Sequence, residues 1–121
     1  MLAQTDALRA RCRAFAIRIV KFVKKLPRDP AAETLARQLA RSGTGASGNY
    51  HSACRARSRA EFISRLWLAV DEADESWHWL TVILGSDVAS GPEPQWLLQE
   101  SIELRAIFAK SVSTAKSNSG T

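Results

Sequence analysis

The chain has 121 residues, 45% of them apolar and 24% charged, with a formal net charge of +5. That composition suits one globular domain with a real core and argues against disorder of the whole chain. No apolar run approaches membrane-spanning length, and the opening residues, with Asp6 so early, lack the pattern of a secretory leader, so a cytoplasmic protein is the simplest expectation. The charge is unevenly divided: residues 1–65 hold 14 Lys or Arg against Asp6, Asp29, Glu33 and Glu61 (+10), whereas residues 66–121 hold 3 against 8 (−5). Either the halves lie antiparallel and neutralise each other, or part of the basic surface stays free for nucleic acid.

Leu8, Cys12, Phe15, Ile19, Phe22 and Leu26 step by four and three alternately, which predicts a first helix from about residue 6 to 25. Ile17, Val20 and Val23 widen its apolar face, and Arg9, Arg11, Arg13, Arg18, Lys21, Lys24 and Lys25 cover much of the rest. The Leu26-Pro27 pair ends it, since a residue before proline is pushed out of helical geometry. Asp29 and Pro30 suit the N-cap and first position of a second helix. Leu35, Leu39, Ser42, Ala46, Asn49 or Tyr50, and Ala53 keep the period through Gly43, Gly45 and Gly48, so one helix is expected over 30–55 with a bend near Gly45, although each glycine costs up to about 1 kcal/mol relative to alanine.

Ser58 followed by Glu61 has capping-box spacing and starts a third helix, 58–84, with Gly85 as its C-terminal glycine. Phe62, Leu66, Ala69, Ala73, Trp77, Leu80 and Leu84 form its expected seam, and Asp71, Glu72, Asp74 and Glu75 an acidic block. After the Ser90–Pro94 turn, a fourth helix is expected over about 95–113, with a polar tail over 114–121. Four helices joined by short connections imply an all-α, antiparallel up-and-down four-helix bundle forming a single domain.

The stretch from Gln38 through Arg41-Ser42-Gly43-Thr44, Gly48-Asn49-Tyr50 and Ala53-Cys54-Arg55-Ala56-Arg57-Ser58-Arg59-Ala60-Glu61-Phe62-Ile63 to Glu72-Ala73-Asp74-Glu75-Ser76 and Trp79-Leu80 resembles the bacterial four-helix-bundle family also called the ribosomal-RNA intervening-sequence or S23-like family. The likeness in helix order and in the proline turn spans roughly residues 6–112. It implies an up-and-down bundle assembled as a homopentameric ring. One branch of that family is the accessory variability protein of diversity-generating retroelements, which implies a reverse transcriptase and nucleic acid as partners. Ser52-Ala53 departs from the Glu-Gly that many members carry after the asparagine.

Arg41 and Glu75 match polar positions of the family, and a buried or half-buried pair setting the bundle register is expected of them. Asn49, within an apolar seam, reads as a hydrogen-bonded core polar group. The four tryptophans cannot all face one small core, so Trp67 and Trp96 are candidate anchors of a subunit interface. Cys12 and Cys54 lack metal spacing and read as buried, reduced thiols; His51 and His78 have no partner at ligand spacing. Arg55, Arg57 and Arg59 around the second turn, with Arg9, Arg13 and Lys21 on the first helix, are the candidate nucleic-acid contacts. Without paired catalytic carboxylates, a phosphate loop, a triad or a metal signature, neither an enzyme nor a cofactor is expected. The expected function is an oligomeric scaffold binding nucleic acid by charge and shape, the alternative a structural or protein-partner scaffold that binds none.

Overall fold

The computed structural model describes residues 2–118, with side chains from residue 5 onward. Helix α1 spans Leu2–Val23, α2 Pro30–Cys54, α3 Arg59–Gly85 and α4 Pro92–Ser117, and the described residues contain no strand. They form an up-and-down four-helix bundle in which α2 packs broadly on α1 and α3, α3 on α4, and α1 on α4 only sparsely.

Local chemistry sets the helix ends. The amides of Lys25 and Leu26 donate to the carbonyls of Phe22 and Val23, which tightens the end of α1 before Pro27. Asp29 caps α2 by accepting from the Ala32 amide at 3.0 Å, with Pro30 at the first position. The Ser58 hydroxyl accepts from the Glu61 amide at 3.1 Å, but the Glu61 carboxylate reaches one residue further back than a capping box requires, to the Arg57 amide at 2.9 Å.

Several ends differ from expectation: α1 begins at Leu2 and α4 at Pro92, ahead of the expected residues 6 and 95, and two C-terminal ends differ in their chemistry. Gly85 is simply the last helical residue of α3; the left-handed position is Asp87, φ 60°, and the Asp87 and Val88 amides donate to Leu84 and Ile83 in a Schellman arrangement. The polar tail expected from residue 114 is helical through Ser117, because the Arg59 guanidinium donates to the Asn118 carbonyl at 2.7 Å and ties the end of α4 to the start of α3. Residues 119–121, the remainder of that tail, lie outside the described residues.

The core is built from Phe15, Ile19, Leu39, Leu66, Leu80, Ile83, Leu97, Leu104 and Phe108, all fully buried. Tyr50 stacks on Phe108 with ring centroids 5.4 Å apart. The α1 seam falls where its spacing puts it, except that Leu8 is half-buried. On α3 the seam instead runs Leu66, Ala69, Ala73, Ser76, Leu80 and Ile83, leaving Trp77 at the surface. The reason is steric. Ser76 donates to Ser42 across the α2–α3 contact at 3.0 Å, a spacing that an indole at this layer would not permit. Similarly, a Cβ on Gly43 would lie 2.9 Å from Ile19 Cγ1 and Cγ2, so the bare backbone there lets α1 and α2 close together.

Candidate nucleic-acid interface

Antiparallel packing of α1 on α2 turns two sequence stripes toward each other. Arg9, Arg13 and Ala16 stand at i, i+4 and i+7 on α1; Thr44, Ser47, Gly48 and His51 stand at i, i+3, i+4 and i+7 on α2. Together they line a groove of about 380 Å³. A second depression of about 450 Å³ shares Arg13, Ala16 and Thr44 and continues along α1 past Ile17, Val20, Lys21 and Lys24. Neither lining contains a carboxylate. From Arg9 to Lys24 the strip follows about 22 Å of helix.

The six expected contacts fall into two groups. Arg9, Arg13 and Lys21 share the α1 strip; Arg9 makes only a loose pair with Asp6 at 3.7 Å, and Arg13 and Lys21 pair with no carboxylate among the described residues. Arg55 and Arg57 are exposed around the α2–α3 turn, just beyond His51, with Arg57 3.9 Å from Glu61. Arg59 is engaged by Asn118 and lines a separate depression with Tyr50, Phe62 and Ile107.

Other basic residues of the front half are consumed by acidic residues of the back half. Arg11 holds Glu100 through two hydrogen bonds of 2.8 and 2.7 Å and Glu103 through a third of 2.9 Å. Arg18 holds Glu93 at 3.2 and 2.5 Å while lying over the Trp96 ring, 3.5 Å from its centroid. The Arg11 guanidinium is stabilised well above its ordinary value, first by hydrogen bonding to Glu100; Arg18 hydrogen bonding to Glu93 depresses that carboxyl. The charge asymmetry is thus resolved differently for different arginines: Arg11, Arg18 and Arg41 are neutralised across helices, while Arg13 and Lys21 on the outer strip of α1 meet no carboxylate among the described residues.

Arg41 and Glu75 do meet, but at the surface, their side chains 52% and 39% exposed; Arg41 also lies 3.6 Å from Glu72. Burial raises the Glu72 carboxyl above its ordinary range, Glu75 adding to the shift and Arg41 opposing it. Asn49 is half-buried and makes no side-chain hydrogen bond among the described residues; the seam position beside it belongs to Tyr50. The partly buried ion pair that sequence spacing does not reveal is Arg11–Glu100, its carboxylate sheltered and its guanidinium half-exposed. Its partners stand 89 residues apart, and Glu100 interrupts an apolar stripe of α4.

Trp67 is 44% and Trp96 39% exposed, yet each carries a cation of its own chain, Lys116 and Arg18 respectively. Trp77 and Ile102 are also exposed and line a shallow hollow on the α3–α4 side with Asp74 and Arg105. Cys12 is buried and its thiol is pushed up to about 12, chiefly by burial; Cys54 is half-buried, and both thiols are free. No three potential His, Cys, Asp or Glu ligands converge, and no helix is long and apolar enough to cross a membrane, among the described residues. Sequence reasoning missed Ser47, Gly48 and His51; the available signal was their i, i+1, i+4 spacing on the α2 stripe facing Arg9 and Arg13.

The fold and its charge distribution define an all-α, up-and-down four-helix-bundle protein with one basic side. Within that class the chain belongs to the 23S rRNA-intervening sequence protein family, whose model matches residues 7–110. A similar solved structure is that of a protein of unknown function from the S23 ribosomal protein family of Bacteroides thetaiotaomicron, with a TM-score of 0.83 and 27% sequence identity over 90% of this chain and 97% of that one. No curated protein matches the sequence.

Proposed function

We propose that the protein is a non-catalytic, self-associating scaffold that binds RNA or DNA through the basic α1–α2 side. The observation that carries this reading is the strip from Arg9 to Lys24, where four cations line two adjoining depressions without a carboxylate, although the same chain neutralises Arg11, Arg18 and Arg41 elsewhere. Phosphate contacts supply affinity without sequence preference, and Ile17 and Val20 offer apolar surface between them. The family's description names a ribosomal-RNA intervening sequence, which makes RNA the first probe to use.

Self-association is assigned to the other side of the bundle. Trp67, Leu68, Trp77, Trp96 and Ile102, all on α3 or α4, remain exposed, and the acidic back half of the chain would repel phosphates there. The family resemblance supplies the homopentameric ring, and a reverse transcriptase is the protein partner that the retroelement branch suggests. The alternative scaffold without nucleic acid is favoured by those same exposed side chains.

Fluorescence anisotropy with a labelled 20-nucleotide RNA separates the two. If Arg9, Arg13, Lys21, Lys24 and Arg55 each neutralise one phosphate, the log–log salt slope is roughly −3.5, a loss of about a hundredfold in affinity between ~50 and ~200 mM salt. No binding at the lower salt rejects nucleic acid as the ligand. Light scattering on the same sample reports self-association, and a monomer at micromolar concentration rejects the ring.

A further inference from the structure

Gly48 is the position in α2 that packing leaves unexplained. A side chain at Gly43 would collide with Ile19 and one at Gly45 with the Glu72 carboxylate, so those glycines answer to neighbours; a Cβ at Gly48 meets nothing within 4 Å. A glycine inside a helix nevertheless costs up to about 1 kcal/mol relative to alanine. Its effect here is to lower the floor of the α1–α2 groove to bare backbone. Around that floor stand Arg9 and Arg13 from α1 and Ser47 and His51 from α2. The Ser47 hydroxyl has no hydrogen-bond partner among the described residues, the lining contains no carboxylate, and Asp6 meets Arg9 only loosely, at 3.7 Å.

We infer that this groove is a seat for the phosphodiester backbone of a nucleic-acid strand, with one phosphate held over Gly48 between the Arg9 and Arg13 guanidinium groups, the Ser47 hydroxyl and His51. The inference rests on the nucleic-acid reading above and sharpens it: the phosphate grip lies in the groove, and the arginines of the α2–α3 turn are secondary. The chemistry is complementary, since all four groups can donate to phosphate oxygens and guanidinium groups make the strongest of such contacts. Space is complementary too, because the missing side chain lets a bulky tetrahedral anion approach the helix. Continuation of the strip to Lys21 and Lys24 gives the neighbouring phosphates cations to follow, which favours a polymer over a single nucleotide.

The test uses the full chain, a labelled 20-nucleotide poly(U) RNA, and four variants: Gly48→Glu, Gly48→Ala, the double Arg9→Gln/Arg13→Gln and the double Arg55→Gln/Arg57→Gln. Gly48→Glu puts a carboxylate on the floor of the seat, whereas Gly48→Ala adds only a methyl group and raises helix propensity. Arg9→Gln/Arg13→Gln should weaken binding about tenfold or more and reduce the salt slope by about 0.7 per cation removed. Gly48→Glu should weaken it at least as much, and Gly48→Ala, whose methyl group takes part of the space over the floor, should weaken it about threefold while melting higher. Gly48→Ala binding as tightly as the parent would overturn the role given to the bare backbone. Arg55→Gln/Arg57→Gln should cost no more than about threefold. If wild type binds but the turn pair abolishes binding while both groove changes leave it intact, the seat is wrong and the wider nucleic-acid reading survives. If wild type fails to bind at low salt, the wider reading itself falls. Uridine monophosphate displacing the 20-mer mole for mole would overturn the strand assignment. Because Arg13 is exposed and Arg9 only loosely paired, the arginine double variant keeps the test decisive even if Gly48→Glu does not fold.

Discussion

Arg11→Ala removes the cation that faces the nearly buried Glu100 carboxylate. Glu100 is 8% exposed and receives both of its hydrogen bonds from Arg11, so truncation leaves a carboxylate in the α1–α4 seam without its counter-charge. Breaking a buried pair from one side costs about 3–5 kcal/mol. The Arg11 side chain is itself 38% exposed, so water screens part of the interaction and the expected loss is about 1.5–3 kcal/mol. Against a total stability of about 5–15 kcal/mol for a domain of this kind, that is a large fraction. Few other contacts join α1 to α4, so little is available to offset it. Urea unfolding followed by far-ultraviolet circular dichroism, at one fixed protein concentration, measures the change for Arg11→Ala, Glu100→Gln and the double variant. The double should fall short of the sum of the singles by about 1–2 kcal/mol, because removing the charge on Glu100 relieves the penalty that Arg11→Ala creates. Lys21→Ala, exposed and unpaired, should stay within about 0.5 kcal/mol of the parent. An Arg11→Ala loss no larger than that of Lys21→Ala, or strict additivity in the cycle, would refute the assignment of Arg11–Glu100 as the lock of this seam.

Three further outcomes follow from the geometry. Glu72 has a raised folded-state carboxyl, so the folded protein holds its proton to higher pH than the unfolded chain; Glu72→Gln should therefore stabilise modestly at pH 7, by less than about 1 kcal/mol after solvent screening, and the advantage should vanish as the pH falls below the raised value toward the ordinary 4.5. Glu93 runs the other way: its depressed carboxyl contributes stability above the ordinary value that is lost as the pH falls through the folded one, so Glu93→Gln should flatten the acid limb of thermal melts recorded between pH 5 and pH 2. Asp87→Gly should raise stability by about 0.5–1 kcal/mol in urea titrations, since the left-handed backbone at φ 60° favours glycine, and an unchanged midpoint would count against strain at that cap.

Much of the fold was legible because large apolar residues at strict spacing leave little choice. The α1 seam from Cys12 to Leu26 and the continuity of α2 through Gly43 and Gly45 follow from period alone. The α3 seam departs from its expected course where Ser76 replaces Trp77 and Ile83 replaces Leu84, with Phe62 only half-buried; at the first of these the apolar spacing favours Trp77, whereas size excludes it. What decided between them was Ser42, 34 residues earlier, which no window along α3 contains. Arg11–Glu100 and the Asp87 turn failed for related reasons: the first is a pairing across the whole chain, and the second puts an aspartate where glycine is the usual signal. At the candidate interface the cation types were readable, but their availability was not. Arg11, Arg13 and Arg18 look alike in sequence; only the placement of α4 shows that the first and third already hold carboxylates while Arg13 faces a groove.

The thin seam between α1 and α4 makes ionic strength an agent with two targets. Dissolved ions compete for the outer strip of α1, and they also weaken the guanidinium forks that fasten the opposite edge of the same helix. The two forks differ in shelter: Glu100 is nearly buried, whereas Arg18 and Glu93 are 39% and 41% exposed, so screening acts more strongly on the second. Rising salt should therefore loosen α1 from its C-terminal half, by Arg18, while the Arg9–Arg13 end stays seated against α2. In amide-exchange terms, protection around Val20 to Val23 would decline with salt before that around Arg9 to Arg13, and the helix that offers cations to a polyanion would also be the bundle's most salt-responsive stave.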